Sequence, residues 1–125
     1  MTQPTLKTKA VAFLETVASG NVKEAYEKYV APGFRHHNQY FKGDRESLLA
    51  GMQEVAANKP QKTLNVVMSL QEGDRVVTYS HVKQDSGDRG GAVVHIFRFE
   101  DGLIAEMWDV GAPIQEHSPN ENGMF

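Results

Sequence analysis

Residues 92–110 read AVVHIFRFEDGLIAEMWDV, two segments of alternating apolar residues joined by Asp101-Gly102. An Asp-Gly pair between two alternating segments is a strong short-range signal for a β-hairpin. A three-residue loop over 100–102, with its glycine in the left-handed conformation, pairs Phe99 with Leu103. The sequence therefore predicts that the C-terminal part of the chain is built on this hairpin.

Two polar side chains interrupt one apolar face of the predicted hairpin. In the register of the three-residue loop, Met107 lies opposite His95, and Asp109 is a diagonal neighbour of His95 on the same face. The same face carries the apolar side chains of Phe97, Phe99, Ala105 and Met107. We therefore predict that an imidazole and a carboxylate lie together in an apolar cavity.

The length of the turn decides whether His95 and Asp109 lie on the same face. A two-residue Asp-Gly loop would shift the register by one residue, place His95 opposite Trp108 and separate it from Asp109. In the preferred register Arg98 and Glu106 lie close together on the other face, as a structural ion pair would.

The N-terminal half has apolar residues at helical spacing, and after Pro60 the period changes to that of strands. The predicted elements are helices over about 5–18, 21–30 and 44–58, with Asp44 as a cap, and strands over 64–70 and 76–83 before the hairpin. Helices followed by antiparallel strands predict one α+β domain over residues 1–125. Residues 111–125 are expected to form a C-terminal tail.

The segment FRHHNQYFKG, residues 34–43, is expected to be a loop across the mouth of the fold. His37 and Asn38 have the donors and acceptors to bind the oxygen atoms of a ligand, although such residues also often fix loop backbone. Arg35 and His36 are expected to be solvated neighbours.

Several of these features together resemble the SnoaL-like polyketide cyclase family within the NTF2-like superfamily. They are the His and Asp on strands joined by an Asp-Gly hairpin, the Trp108-Asp109 ending, His37-Asn38 followed by Gly43, and the closing NENGMF. The resemblance implies an NTF2-like cone, in which three N-terminal helices pack on one face of a curved antiparallel sheet. It also implies that Asp109 is the acid/base carboxylate and His95 its partner.

The chemistry of the two groups leads to the same hypothesis. A carboxylate with apolar neighbours is poorly solvated and accepts a proton more readily, and an imidazole can donate to an oxygen that becomes negative. We expect proton abstraction next to a carbonyl, followed by isomerisation or aldol-type cyclisation of a small apolar ligand, without a cofactor. Further candidate contacts to that ligand are His37, Asn38, Phe97, Met107 and Tyr79. Val93 stands where polyketide cyclases carry an amide, which argues against a polyketide substrate.

Three alternatives remain open at this stage. His95 and Asp109 can form a structural pair, or the domain can be a binding module without turnover. If the register across the loop over 84–91 places His81 on the same face as His95, then His81, His95 and Asp109 form a two-His-one-carboxylate metal site.

Composition narrows the range of partners. The 125 residues contain no cysteine, which excludes disulfides and thiolate chemistry. A net charge of −3 without a basic run argues against nucleic-acid binding. The polar N-terminus and the lack of a long apolar run predict no membrane segment and a cytoplasmic location.

The second face of the hairpin is also apolar. Val94, Ile96, Ile104 and Trp108 are predicted to lie there. Because the helices can cover only one face of the sheet, this strip predicts a homodimer, formed sheet to sheet or through the tail.

Overall fold

The computed structural model describes residues 4–125, which form three α-helices and five β-strands. In chain order they are α1 (Leu6–Ala18), α2 (Val22–Tyr29), β1 (Val30–His36), α3 (Arg45–Asn58), β2 (Thr63–Glu72), β3 (Arg75–Lys83), β4 (Gly91–Glu100) and β5 (Leu103–Pro113). The α+β class is as predicted. No helix within residues 4–125 combines the length and hydropathy needed to cross a bilayer.

The five strands form one mixed sheet in the order β1-β5-β4-β3-β2. All neighbours are antiparallel except β1, which runs parallel to β5. The expectation of a purely antiparallel sheet is therefore wrong at this edge. Strand β1 was not predicted because it contains Pro32-Gly33, which is typical of a helix end. A proline is tolerated here because β1 is an edge strand with an irregular register between Val30 and Arg35.

The turn of the hairpin differs from the prediction. Asp101 and Gly102 both have positive φ, 51° and 79°, and Glu100 pairs with Leu103. This is a two-residue turn with the conformation favoured for Asp-Gly. The three-residue loop predicted from the sequence is wrong.

A β-bulge then changes the register again. Phe99 pairs with Ile104 but Arg98 pairs with Glu106, so Ala105 is an extra residue in β5. From Arg98 onward, each pair is one residue farther along β5 than the turn alone would place it. The two-residue turn alone would put His95 and Asp109 on opposite faces of the hairpin, and the bulge returns them to the same face.

The core joins the helices to one face of the sheet, which we call the inner face. Its buried apolar side chains come from the three helices, from β1 and from β3 to β5: Ala10, Phe13, Leu14, Val22, Ala25, Tyr26, Val30, Phe34, Leu48, Val76, Phe97, Phe99, Ile104 and Met107. Ile104 is thus in the core, and the prediction that it lies on the second face is wrong. The bulge at Ala105 is the reason, because it reverses the parity between residues 104 and 106.

The opposite face of the sheet, which we call the outer face, is apolar in part. A second bulge, between Val66 and Met68, turns Met68 and Leu70 outward, where they are 54% and 66% exposed. Strand β5 continues beyond Val110 to Pro113, so the predicted tail begins too early. The end of the tail lies against the outer face, where the Tyr79 hydroxyl donates to the carbonyl of Met124 at 2.6 Å.

Deleting Ala105 tests the role of the bulge in the fold. The deletion should keep Met107 and Asp109 on the inner face and Glu106 on the outer face, because the pairs Phe99–Ile104 and Arg98–Glu106 then follow each other regularly. The free energy of unfolding should fall by less than about 2 kcal/mol. Urea denaturation followed by circular dichroism measures the change. Deleting Ile96, a paired residue of β4, is the comparison, because it should turn His95 outward and lower the free energy of unfolding by about 3 kcal/mol or more. Equal stability of the two deletion variants would contradict the assignment.

Candidate active site

His95 and Asp109 face each other directly across β4 and β5. The predicted register made them diagonal neighbours, with Met107 opposite His95, whereas Met107 in fact pairs with Phe97. The shared face was predicted correctly, but it results from a two-residue turn and a bulge. The pair is therefore closer than the sequence suggested.

Both side chains line a cavity of about 470 Å³ between the helices and the inner face of the sheet. Most of its lining is apolar and comes from α1, α3 and the ends of β2 to β5: Phe13, Leu14, Val17, Ala18, Leu48, Met52, Leu64, Val82, Val93, Met107, Ala112 and Pro113. A few polar side chains reach it as well: Tyr26, Asn38, Tyr40, Lys62, Gln84, His95 and Asp109. An apolar cavity with a few converging polar groups is the usual form of a small-molecule site.

Asn38 holds the carboxylate of Asp109 in place. Its Nδ2 donates to Asp109 Oδ2 at 3.1 Å, and its Oδ1 accepts from the backbone N–H of Tyr40 at 2.8 Å. The backbone N–H of Asn38 donates to His36 Nδ1 at 3.1 Å, and His36 Nε2 donates to the carbonyl of Lys42 at 2.7 Å. This chain of hydrogen bonds fixes the orientation of the Asp109 carboxylate.

His36 was expected to be solvated, and this expectation is wrong because the residue is only 5% exposed. It belongs to β1, where alternate residues point inward, so Phe34 and His36 lie on the core side. The missed strand explains the error.

His95 is neutral at physiological pH. Burial lowers the pKa of its imidazole to about 4, although the nearby charge of Asp109 acts in the opposite direction. The ring stacks on Phe97, with the ring centroids 5.9 Å apart, and its Nδ1 is buried without a hydrogen-bond partner among the described residues. A neutral imidazole can still donate one hydrogen bond to an oxygen in the cavity.

Two further buried polar atoms lie beside His95 on the inner face. Thr78 is the partner of His95 on β3, and neither its Oγ1 nor the Oγ of Ser80 has a partner in the described part of the chain. Native proteins pair nearly all buried polar atoms, so unpaired ones call for a functional or structural explanation. The alternation of Val76, Thr78 and Ser80 in the sequence was a signal for this polar inner face.

The remaining predicted contacts are divided between the two faces. Met107 lines the cavity, whereas Phe97 is fully buried, does not line the cavity and stacks on the ring of His95. His37 and Tyr79 lie on the outer face and are not part of the cavity. Side chains alternate between faces along a strand, and Phe34 and His36 in β1 and Thr78 and Ser80 in β3 point inward, so His37 and Tyr79 point outward.

His37 belongs to a charged cluster on the outer face, in which Glu106 is shared by three cationic or basic side chains. The carboxylate contacts His37 Nε2 at 2.6 Å, Arg35 Nε at 3.0 Å and Arg98 Nε at 3.1 Å. The hydrogen bonds from Arg35 and then His37 lower the pKa of Glu106 to about 2. The predicted Arg98–Glu106 ion pair is confirmed, and the His37 ring stacks on Trp108 with centroids 4.9 Å apart.

The metal-site alternative is wrong. His81 pairs with Ala92 and Thr78 with His95, so His81 and His95 point to opposite faces of the sheet. His81 Nε2 lies 2.8 Å from the carbonyl of Arg89, and its ring contacts Phe125. Within residues 4–125 no three His, Asp or Glu side chains converge in the manner of a metal site.

Three polar residues of the cavity were not predicted: Tyr40, Lys62 and Gln84. Each lies in a loop or at a strand end, where hydrophobic periodicity does not predict which way a side chain points. Lys62 is the one cation among the side chains that line the cavity.

Residues 10–107 match the SnoaL-like domain family. The chain belongs to this family. The resemblance inferred from the hairpin and the His37-Asn38 segment is thus confirmed. A search of curated proteins finds no match.

Solved structures share the fold at low sequence identity. An NTF2-like protein of unknown function from Cytophaga hutchinsonii is 18% identical with a TM-score of 0.72, covering 90% of this chain and 94% of its own. A candidate ketosteroid isomerase from Kribbella flavida is 18% identical with a TM-score of 0.72, covering 92% and 83%. A candidate polyketide cyclase from Acidithiobacillus ferrooxidans is 17% identical with a TM-score of 0.69, covering 89% and 91%. At these identities the likeness shows the fold alone.

The lowered pKa of His95 predicts a loss of stability in mild acid. Because the imidazole has a pKa near 6.5 when unfolded and about 4 when folded, the unfolded state binds more protons between these values. The free energy of unfolding should fall by up to about 3 kcal/mol as the pH drops from 6.5 to 4, in addition to the contributions of other groups.

The His95→Gln variant isolates this contribution. Its stability, measured by urea denaturation, should depend less on pH than that of the wild type across this range. The control is His117→Gln, which removes an exposed imidazole from the tail and should leave the wild-type pH dependence. An identical pH dependence of wild type and His95→Gln would show that the imidazole is not buried in its neutral form.

Proposed function

We propose that this protein binds a small apolar carbonyl compound and removes a proton from the carbon next to the carbonyl. The observation that supports this best is the direct pairing of His95 with Asp109 at an apolar cavity. Isomerisation or aldol-type ring closure is the expected outcome, and the reaction uses only groups of the chain itself. The cavity fits between a curved sheet and three helices, which we propose to form the family's cone.

Asp109 is the base in this proposal. Asn38 occupies Oδ2, so Oδ1 is the atom that accepts the proton. The C–H bond breaks, its electron pair forms the enolate, and the negative charge develops on the carbonyl oxygen. Asp109 returns the proton to another carbon in an isomerisation. In an aldol reaction the enolate carbon attacks a second carbonyl of the same ligand, and the alkoxide that forms there takes the proton back from Asp109.

His95 stabilises the enolate oxygen. A neutral imidazole that donates a hydrogen bond is suited to this role, because the donor is fixed before the charge appears. Stacking on Phe97 fixes the ring plane. The apolar walls, including Val93 in place of the family's amide, suit the hydrocarbon part of such a ligand.

We also propose that the chain forms a homodimer through the outer face. Met68, Leu70 and Val110 expose 54%, 66% and 70% of their surface there or at its margin. Exposed apolar side chains grouped on one sheet face are typical of a protein interface.

Asp109→Asn tests the catalytic role. The exchange of α-hydrogen for deuterium in a panel of small apolar ketones, followed by NMR, should fall at least about 100-fold because the amide cannot accept the proton. Ligand affinity should remain within about threefold, because the amide keeps the shape of the side chain.

The matched control is Asp101→Asn, which removes the same charge at the exposed hairpin turn, where asparagine tolerates the positive φ. This variant should exchange at the wild-type rate. If wild type binds the ketones and exchanges none of them, the protein is a binding module, and the catalytic proposal is wrong.

Leu70→Glu tests the proposed dimer. A charge on the outer face should weaken self-association about tenfold or more, because it would be buried without a partner. Sedimentation equilibrium measures the dimer constant, and Gln53→Glu on the exposed side of α3 is the control for added charge. Unchanged association of Leu70→Glu would place the interface elsewhere.

A further inference from the structure

We propose that Lys62 binds an anionic group of the ligand, so that the protein acts on small carbonyl compounds that also carry an acidic group, such as a carboxylate. The inference deepens the proposed function and rests on its ligand cavity, although not on turnover. In this view the cavity has two charged side chains with different tasks. Asp109 faces the reacting carbon, and Lys62 holds the anion.

The position of Lys62 is set by the connection between α3 and β2. Helix α3 ends at Asn58 and β2 begins at Thr63, and the backbone N–H of Lys62 closes a turn onto the carbonyl of Lys59 at 3.1 Å. The side chain lies where the main cavity meets a smaller one of about 130 Å³. Val17 and Met52 line both cavities beside it, so the aliphatic stem has apolar neighbours.

The ammonium group of Lys62 is partly desolvated and has no counter-charge among the described residues. Burial lowers the pKa of this group, and no carboxylate or hydrogen-bond acceptor of the described residues offsets the effect. Some other lysines have partners, as when Lys23 pairs with Glu27 and Lys9 donates to the carbonyl of Gly102. A partly desolvated cation without a partner is unfavourable, and a ligand anion would restore the lost interaction.

Lys62 lines the same cavity as His95 and Asp109, the proposed catalytic pair. Its charge contributes to lowering the pKa of His95, so the ammonium and the imidazole interact across the cavity. The only other formal charge in the lining is Asp109, whose Oδ2 is already bound by Asn38. A ligand anion would be repelled by Asp109 and attracted by Lys62. This polarity would orient an asymmetric substrate.

Two probes that share a ring system separate charge from apolar binding. The probes are 1-anilinonaphthalene-8-sulfonate, which is an anion, and N-phenyl-1-naphthylamine, which lacks the sulfonate. Fluorescence titration with wild type, Lys62→Gln and Lys59→Gln gives the dissociation constants. Lys59 lies three residues away, is exposed and does not line the main cavity, so its variant matches the charge change.

Lys62→Gln should weaken binding of the anionic probe about tenfold and change binding of the neutral probe by less than about twofold. Lys59→Gln should change neither by more than about twofold, and Lys62→Arg, which keeps the charge, should stay within about threefold of wild type for the anion. Circular dichroism checks that each variant is folded, and the arginine variant still tests the proposal if the glutamine variant is not.

Three results would overturn the proposal. They are unchanged binding of the anion to Lys62→Gln, an equal loss for both probes, which would mean that Lys62 only shapes the wall, and equal losses in the Lys62 and Lys59 variants. If neither probe binds to wild type, the ligand cavity itself fails, and the anion site with it. The titrations need no turnover, so they are independent of the result for Asp109→Asn.

Discussion

The register of β4 against β5 is the constraint on which the site depends. A two-residue turn at Asp101-Gly102 alone would bring His95 opposite Trp108, but the extra residue at Ala105 moves Asp109 into that position. Because side chains alternate between faces, one residue decides which side of the sheet every later side chain occupies. The bulge is therefore as important to the site as the two polar residues themselves.

The same register separates two kinds of polar chemistry. On the outer face Glu106 is fully engaged by Arg35, His37 and Arg98, as expected for a structural network. On the inner face His95 is neutral and has an unpaired Nδ1, while Asp109 is held through Oδ2 alone. Engaged groups stabilise the sheet, whereas Asp109 keeps Oδ1 free of a hydrogen bond within the described residues. This contrast is the physical reason for placing function on the inner face.

The sequence predicts the elements well, because helical and twofold periodicities and the Asp44 cap are local signals. It predicts the faces less well, since each bulge changes parity with no clear mark in the sequence. The bulge at Ala105 is an example, and the missed strand β1 likewise misplaced His37. Lys62 was not found because a loop has no periodicity from which to infer its direction.

Disulfide trapping tests the central claim most directly, since the chain contains no cysteine of its own. Cysteines at positions 95 and 109 should oxidise to an intramolecular disulfide, because facing residues of antiparallel strands lie within the range of a disulfide. Cysteine pairs at 95 and 107, or at 95 and 108, should stay reduced under the same conditions. Efficient cross-linking of either of these pairs, with none between 95 and 109, would contradict the register and with it the proposed site.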